Sequence, residues 1–389
     1  MLRNLLVVLC AAGLSIGGVG TATAQPAPVV PDPGSAIGVT DVTLVDHDRP
    51  DPWAAGTTRE IPVTITYPAS EVAGHEQSTY IPRAVADSIG APGLADLRTN
   101  GHVNAPVASN GDRSLPVVLF SPGFNVPRFL NTVHAEALAA RGYVVISIDH
   151  TGDALATGFP DGRVVPTRIP DEYSDAGLRG AIDARVADAR FVMGVVDDLS
   201  ADGTSDAVSG QLPDGLASGL DSDKVGMFGH SMGGASAAEV LRVDPRLDAA
   251  VNLDGALFYG SDPSPAVTEG VDGPLLSVIS SLHADSQDGR ERFWNQYFAT
   301  PRGWSKVYAV ANTGHGSFTD GEHFLPQNVP DLPFFEIPGG LSFGTAPRGE
   351  VLGTTNGLLA DMFDRFLKGA QVPSLENPAT QYPLVHEVR

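Results

Sequence analysis

The chain has 389 residues, with 46 Asp and Glu against 24 Lys and Arg, and a formal net charge of −22. That balance argues against nucleic acid as a partner and gives no electrostatic attraction to anionic membranes. The only cysteine is Cys10, so a chain processed after residue 24 has no thiol nucleophile, disulfide, Cys-ligated zinc or iron–sulfur cluster.

Residues 1–24, "MLRNLLVVLCAAGLSIGGVGTATA", carry one positive charge at Arg3, an apolar run from Leu5, and Ala22-Thr23-Ala24 before Gln25. This is the anatomy of a secretory signal peptide cleaved near Ala24. A membrane anchor is the rival reading, but glycines interrupt the run from Gly13 and no stop-transfer flank follows. Bulky Leu9 before Cys10 argues against a lipoprotein site. The mature protein is therefore expected to be secreted, in the medium or the cell envelope. A Pro-rich spacer follows over 25–40, most marked in "QPAPVVPDPGSA" at 25–36. One domain is expected over 41–389.

In that domain short apolar runs alternate with helical patterns. Strands are expected at "IPVTITY" (61–67), "LPVVLFS" (115–121), "YVVISID" (143–149), "KVGMFGH" (224–230), "DAAVNLD" (248–254), "PLLSVIS" (274–280) and "KVYAVAN" (306–312). Helices are expected at "HAEALAARG" (134–142), Gly177–Leu199 and "GGASAAEVLRV" (233–243). In the second, Leu178, Ile182, Val186, Ala189, Met193 and Val196 recur at spacings of three and four, and Ser174 is the expected N-cap. Buried strands alternating with helices predict an α/β fold: a single, mostly parallel sheet flanked by helices on both faces. The stretch 197–223 is rich in Asp, Gly and Ser and reads as a mobile, solvated excursion. Its carboxylates lack a recognisable calcium-ligand spacing.

The pattern Gly-x-Ser-x-Gly is met early in the chain in "GLSIG" (13–17) and again in "GHSMGG" (229–234). With 44 Gly and 27 Ser, chance alone supplies about a third of a match. Context decides: the first lies inside the signal peptide, whereas the second follows a strand and opens a helix. A sharp strand-to-helix turn there needs small residues at Gly229 and Gly233, and it lifts Ser231 Oγ to the positive end of the helix.

A serine hydroxyl needs a histidine to take its proton, and the histidine needs a carboxylate to orient it. In this arrangement the acid and then the base follow the serine, each at a strand end. His315 follows "KVYAVAN" and is the expected base, with His323 as fallback. His150 and His230 come too early, and are expected to shape the pocket or satisfy hydrogen bonds. Asp254 ends "DAAVNLDG" and Asp285 follows "PLLSVIS". Both stand where the acid should be, but the apolar neighbours of Asp254 bury it better, while Asp285 sits beside Ser286, Gln287 and Asp288. Oxyanion donors are expected from the backbone N–H of Met232 and, behind flexible Gly123, of Phe124.

These residues resemble the plasma-type platelet-activating factor acetylhydrolases and their bacterial relatives, within the α/β-hydrolases. The resemblance spans about Arg59 to Ala370. It is carried by "REIPVTITYPA", "VLFSPGF", "GYVVISIDH", "ARVADARFVMGVVDDL", "VGMFGHSMGG", "AAVNLDG", "HGSFTD" and "NGLLADMFDRFLKG". It implies Ser231 as nucleophile, Asp254 as acid, His315 as base and Phe124 and Met232 as oxyanion donors. It further implies cofactor-free cleavage of short acyl esters of phospholipids or other lipids, with neither metal nor nucleotide. It allows transient contact with a lipid interface and implies no obligate protein partner. The family usually has His where this chain has Pro122. "SPGF" and "GHSMGG" also resemble cutinase-like polyester hydrolases, which place their acid one strand later. A hydrolase fold retained only for binding is the remote alternative, disfavoured because all three catalytic positions are filled.

Overall fold

The computed structural model describes residues 35–109, 113–171, 173–284, 296–300, 303–321 and 342–388. The expected signal peptide and most of the expected spacer lie outside the described residues, as do Asp285 and His323. One large sheet organises the molecule. Its centre holds six parallel strands in the spatial order Val144–Ile148, Leu115–Ser121, Leu220–His230, Ala249–Leu253, Leu275–Ser280 and Ser305–Val310. The long antiparallel pair Ile37–Pro50 and Thr58–Pro68 joins beside Val144–Ile148, and Val385–Glu387 closes the other edge antiparallel to Ser305–Val310.

The central strands carry continuous apolar runs where both faces are covered, and the pleat sends alternate side chains to opposite cores. Val117 and Leu119 face one core with Leu275 and Ile279; Val118 and Phe120 face the other with Leu276 and Val278. The first core is covered by the helices Asp175–Asp202 and Met232–Val243, the second by Thr132–Ala139 and Arg348–Phe366. Two cores on one sheet give the expected α/β class. Among the described residues no helix is long and apolar enough to cross a membrane.

The helix Asp175–Asp202 starts where expected, with Ser174 Oγ accepting from the Gly177 N–H at 3.1 Å. It ends at Gly203, whose φ of 73° suits a residue without a side chain. Two expectations are corrected. The sheet takes up the chain from Ile37, inside the stretch read as spacer, because Ile37, Val39, Val42 and Leu44 are buried there. The excursion 197–223 is packed rather than solvated throughout: the helix runs to Asp202, Val208–Ser209 pairs with the strand Ile37–Pro50, and Ala207, Leu216 and Leu220 reach the core.

Candidate active site

The turn between the strand Leu220–His230 and the helix Met232–Val243 holds Ser231 at φ 56°, ψ −124°. A non-glycine residue with positive φ is strained, and packing must hold it there. Here a Cβ added to Gly233 would lie 1.9 Å from the Ser121 carbonyl oxygen, and one on Gly229 would lie 2.2 Å from the Gly233 carbonyl carbon. Both glycines are therefore required by close backbone approach. The Ser231 N–H donates to the Leu253 carbonyl at 2.9 Å, and no side-chain bond occupies its hydroxyl as a helix cap.

Asp254 caps the neighbouring strand Ala249–Leu253, also at positive φ (52°), and is 2% exposed. Its Oδ1 accepts from the Ser280 N–H at 2.7 Å, and its Oδ2 lies 2.8 Å from His315 Nδ1. An ionised carboxylate only accepts, so the proton of this contact sits on His315 Nδ1 and leaves Nε2 with its lone pair. His315 opens a short 3-10 turn after the strand Ser305–Val310 and keeps its side chain 23% exposed. The acid turn is packed on the serine turn: a Cβ on Gly255 would lie 2.2 Å from the Ser231 carbonyl oxygen. Asn252, invisible as a site residue in the sequence, braces Asp254 by bonding both the N–H and the carbonyl of Gly255.

The other two histidines have partners of their own. His230 is buried, its Nε2 donates to the His315 carbonyl at 2.8 Å, and the two rings stand 4.6 Å apart. Burial first, then proximity to His315, pushes its pKa down to about 3. His150 lies between Ser121 Oγ and Asp188 Oδ2, each at 2.9 Å. Ser121, His150 and Asp188 thus form a second serine–histidine–aspartate chain, but all three are buried. Burial alone would raise the pKa of Asp188; Arg59 and His150 overcome it and hold the carboxyl well below the usual carboxylate range. Burial and Arg185 keep His150 below the ordinary histidine value. No substrate reaches this chain, so accessibility singles out Ser231.

The loop after the strand Leu115–Ser121 passes beside Ser231. A Cβ added to Gly123 would lie 3.5 Å from Ser231 Cβ. Among the described residues, neither the Phe124 N–H nor the Met232 N–H donates a hydrogen bond. Met232 is the first residue of its helix, where such a donor has no partner within the helix. The Phe124 ring meets Tyr173 edge-on at 5.7 Å, and Tyr173 is 46% exposed.

This arrangement, a strained serine beside a histidine–carboxylate pair with unpaired N–H donors nearby, suits acyl transfer. No protein-family model matches the chain. A ferulic acid esterase from Streptomyces cinnamoneus, known as a solved structure, superimposes with a TM-score of 0.75 at 30% identity, over 92% of this chain and 97% of that one. The chain belongs to the α/β-hydrolase esterases. Carboxylic-ester hydrolysis is the chemistry of this esterase.

Two curated relatives are similar to the esterase at lower identity. One, from Arthroderma benhamiae, carries the name "Probable 1-alkyl-2-acetylglycerophosphocholine esterase" and is 26% identical over 289 residues, which is 71% of this chain and 67% of that one. The platelet-activating factor acetylhydrolase of Cavia porcellus is 22% identical over 231 residues, 56% of this chain and 50% of that one. The family resemblance read from the motifs is thus met in both.

What the motifs did not reveal is the charged framework beneath the site. Arg185 is buried and binds Asp153 through two bonds of 2.7 Å, while Arg59 joins Asp51 and Asp188. Removing one partner of such a pair typically costs about 3–5 kcal/mol. One signal was available: Arg185 and Asp188 stand among Ile182, Ala189 and Val192 on the buried side of their helix, where an unpaired charge cannot persist.

Proposed function

We propose that the chain is an exported serine esterase in which Ser231, His315 and Asp254 form the catalytic triad. The observation that carries this reading is the 2.8 Å contact between Asp254 Oδ2 and His315 Nδ1 beside the strained Ser231 turn. Ser231 Oγ attacks the ester carbonyl as His315 Nε2 takes its proton. The imidazolium gives that proton to the departing alcohol, stabilised by the Asp254 charge. Water, deprotonated by His315, then attacks the acyl-enzyme and releases the acid and a free serine. The N–H groups of Phe124 and Met232 stabilise the oxyanion in both halves.

The preferred substrates are short acyl esters of phospholipids or other lipids, as the names of the curated relatives suggest. A second reading has its own support. The Phe124–Tyr173 pair offers an aromatic surface next to the site, which suits an aromatic acid, as in the ferulic acid esterase, or an aromatic polyester of the cutinase type. Against the polyester reading, the carboxylate bonded to His315 is the one ending the strand directly after Ser231, not one a strand later. Turnover of p-nitrophenyl acetate, an acetylated phospholipid, a feruloyl ester and a polyester film should be compared side by side. Preference for the acetylated phospholipid supports the lipid reading, and preference for the feruloyl ester or the film replaces it.

A further inference from the structure

The loop that carries Phe124 is held from behind by one side chain. Arg185, from the helix Asp175–Asp202, donates to the carbonyl oxygens of both Pro122 and Gly123, the latter at 3.1 Å, and to Ser121 Oγ at 3.2 Å. Its remaining donors are fixed by Asp153, whose Oδ1 also accepts from the Asn125 N–H at 3.3 Å. Gly123 and Val126 close a turn around the same carbonyl, with the Val126 N–H 3.1 Å from the Gly123 oxygen. The guanidinium and its carboxylate thus grip the backbone at residues 122, 123 and 125, leaving the Phe124 N–H outside the set.

The peptide between Gly123 and Phe124 is planar and trans, so its C=O and N–H point in opposite directions. Fixing the Gly123 oxygen on Arg185 therefore fixes the Phe124 N–H pointing away from the guanidinium. The same holds for the Pro122 oxygen and the Gly123 N–H. A charged donor on a peptide oxygen also draws electron density from the amide and makes its N–H a better donor. The support is itself rigid: Ser121 Oγ accepts from Arg185 and donates to His150 Nε2, whose Nδ1–H donates to the ionised Asp188. We propose that Arg185 is a positioning residue that orients and polarises the Gly123–Phe124 peptide as an oxyanion donor. This rests on the reading of Ser231 as nucleophile and Phe124 as donor.

Two changes test it. Arg185→Lys keeps the charge beside Asp153, but an ammonium lacks the planar fork that spans two carbonyls and a carboxylate. Arg185→Met with Asp153→Asn removes the buried pair together, so neither charge is stranded. Both are assayed with p-nitrophenyl acetate and with an aryl trifluoromethyl ketone, whose adduct on a serine bears an oxyanion, and thermal unfolding confirms that each variant is folded. The expected result is kcat lower by about 10²-fold in the double variant, the size of a lost oxyanion donor, with the lysine variant between it and wild type. KM should stay within about threefold, and affinity for the ketone should fall in parallel with kcat. A folded variant that keeps both kcat and ketone affinity, or that loses only KM, overturns the proposal. Undiminished turnover by Ser231→Ala would instead overturn the underlying reading, so the two failures are distinguishable.

Discussion

His230 Nε2 donates to the carbonyl oxygen of His315 across 2.8 Å, tying the residue beside Ser231 to the backbone of the histidine that Asp254 binds. This bond fixes where the His315 ring starts, while Asp254 fixes how it turns.

The burial of the His230 ring beside His315 has a pH signature. His230 has a native pKa near 3 against an ordinary value of 6.5, so between those values the unfolded chain holds a proton that the native protein does not. Stability contributed by the neutral ring is complete above about pH 6.5 and is lost as pH falls toward 3. His230→Gln keeps an N–H donor for the His315 carbonyl without titrating. Urea unfolding from pH 7 to pH 4 should therefore show a shallower loss of stability than in wild type. An unchanged slope would contradict the assignment.

The choice of acid is tested by amides. Asp254→Asn should lower kcat by about 10⁴-fold, the cost of an amide in place of a triad acid, with thermal stability little changed. Asp285→Asn should cost about tenfold or less. Steady-state kinetics of both on one soluble ester rank them, and the reverse ranking would move the acid to the later strand.

Backbone contact at the serine turn makes a prediction about folding. Gly233→Ala drives a methyl group into the Ser121 carbonyl oxygen, 1.9 Å from its ideal position. A destabilisation of about 3 kcal/mol is expected, at the upper end for overpacking, with loss of labelling by a serine-directed phosphonate. Denaturant midpoints and intact mass read the two effects. A stable, fully labelled variant would mean that the turn is looser than described.

Processing is tested by mass. The secreted species should begin at Gln25, after Ala22-Thr23-Ala24. Intact mass of protein from culture medium checks this, and recovery of residues 1–24 in a membrane fraction would contradict it.

The central strands were legible because burial on both faces leaves continuous apolar runs, and the long helix because its one buried side recurs at spacings of three and four. The serine turn was legible because close backbone approach demands glycine. Burial of Asp254 followed from its neighbours Val251, Asn252 and Leu253, all buried. Other features were hidden for physical reasons. The strand Ile37–Pro50 mixes polar positions such as Thr40, Asp41 and Thr43 with apolar ones and follows a proline-rich stretch, so its pairing partner, not its composition, makes it a strand. The bonds from Arg185 to Asp153 and to the loop carbonyls span 32 and more than 60 residues, and no local pattern records which distant groups a charge will meet. Asn252 reads as an ordinary strand residue until the turn at Asp254 folds back onto it.

The most direct test of the account is the turnover of p-nitrophenyl acetate by Ser231→Ala beside wild type, with both proteins shown to be folded. The account predicts a fall in kcat of about 10⁴- to 10⁶-fold, leaving only what binding and the oxyanion donors supply. Turnover equal to wild type would contradict it, since no other described serine combines exposure with a histidine–carboxylate pair.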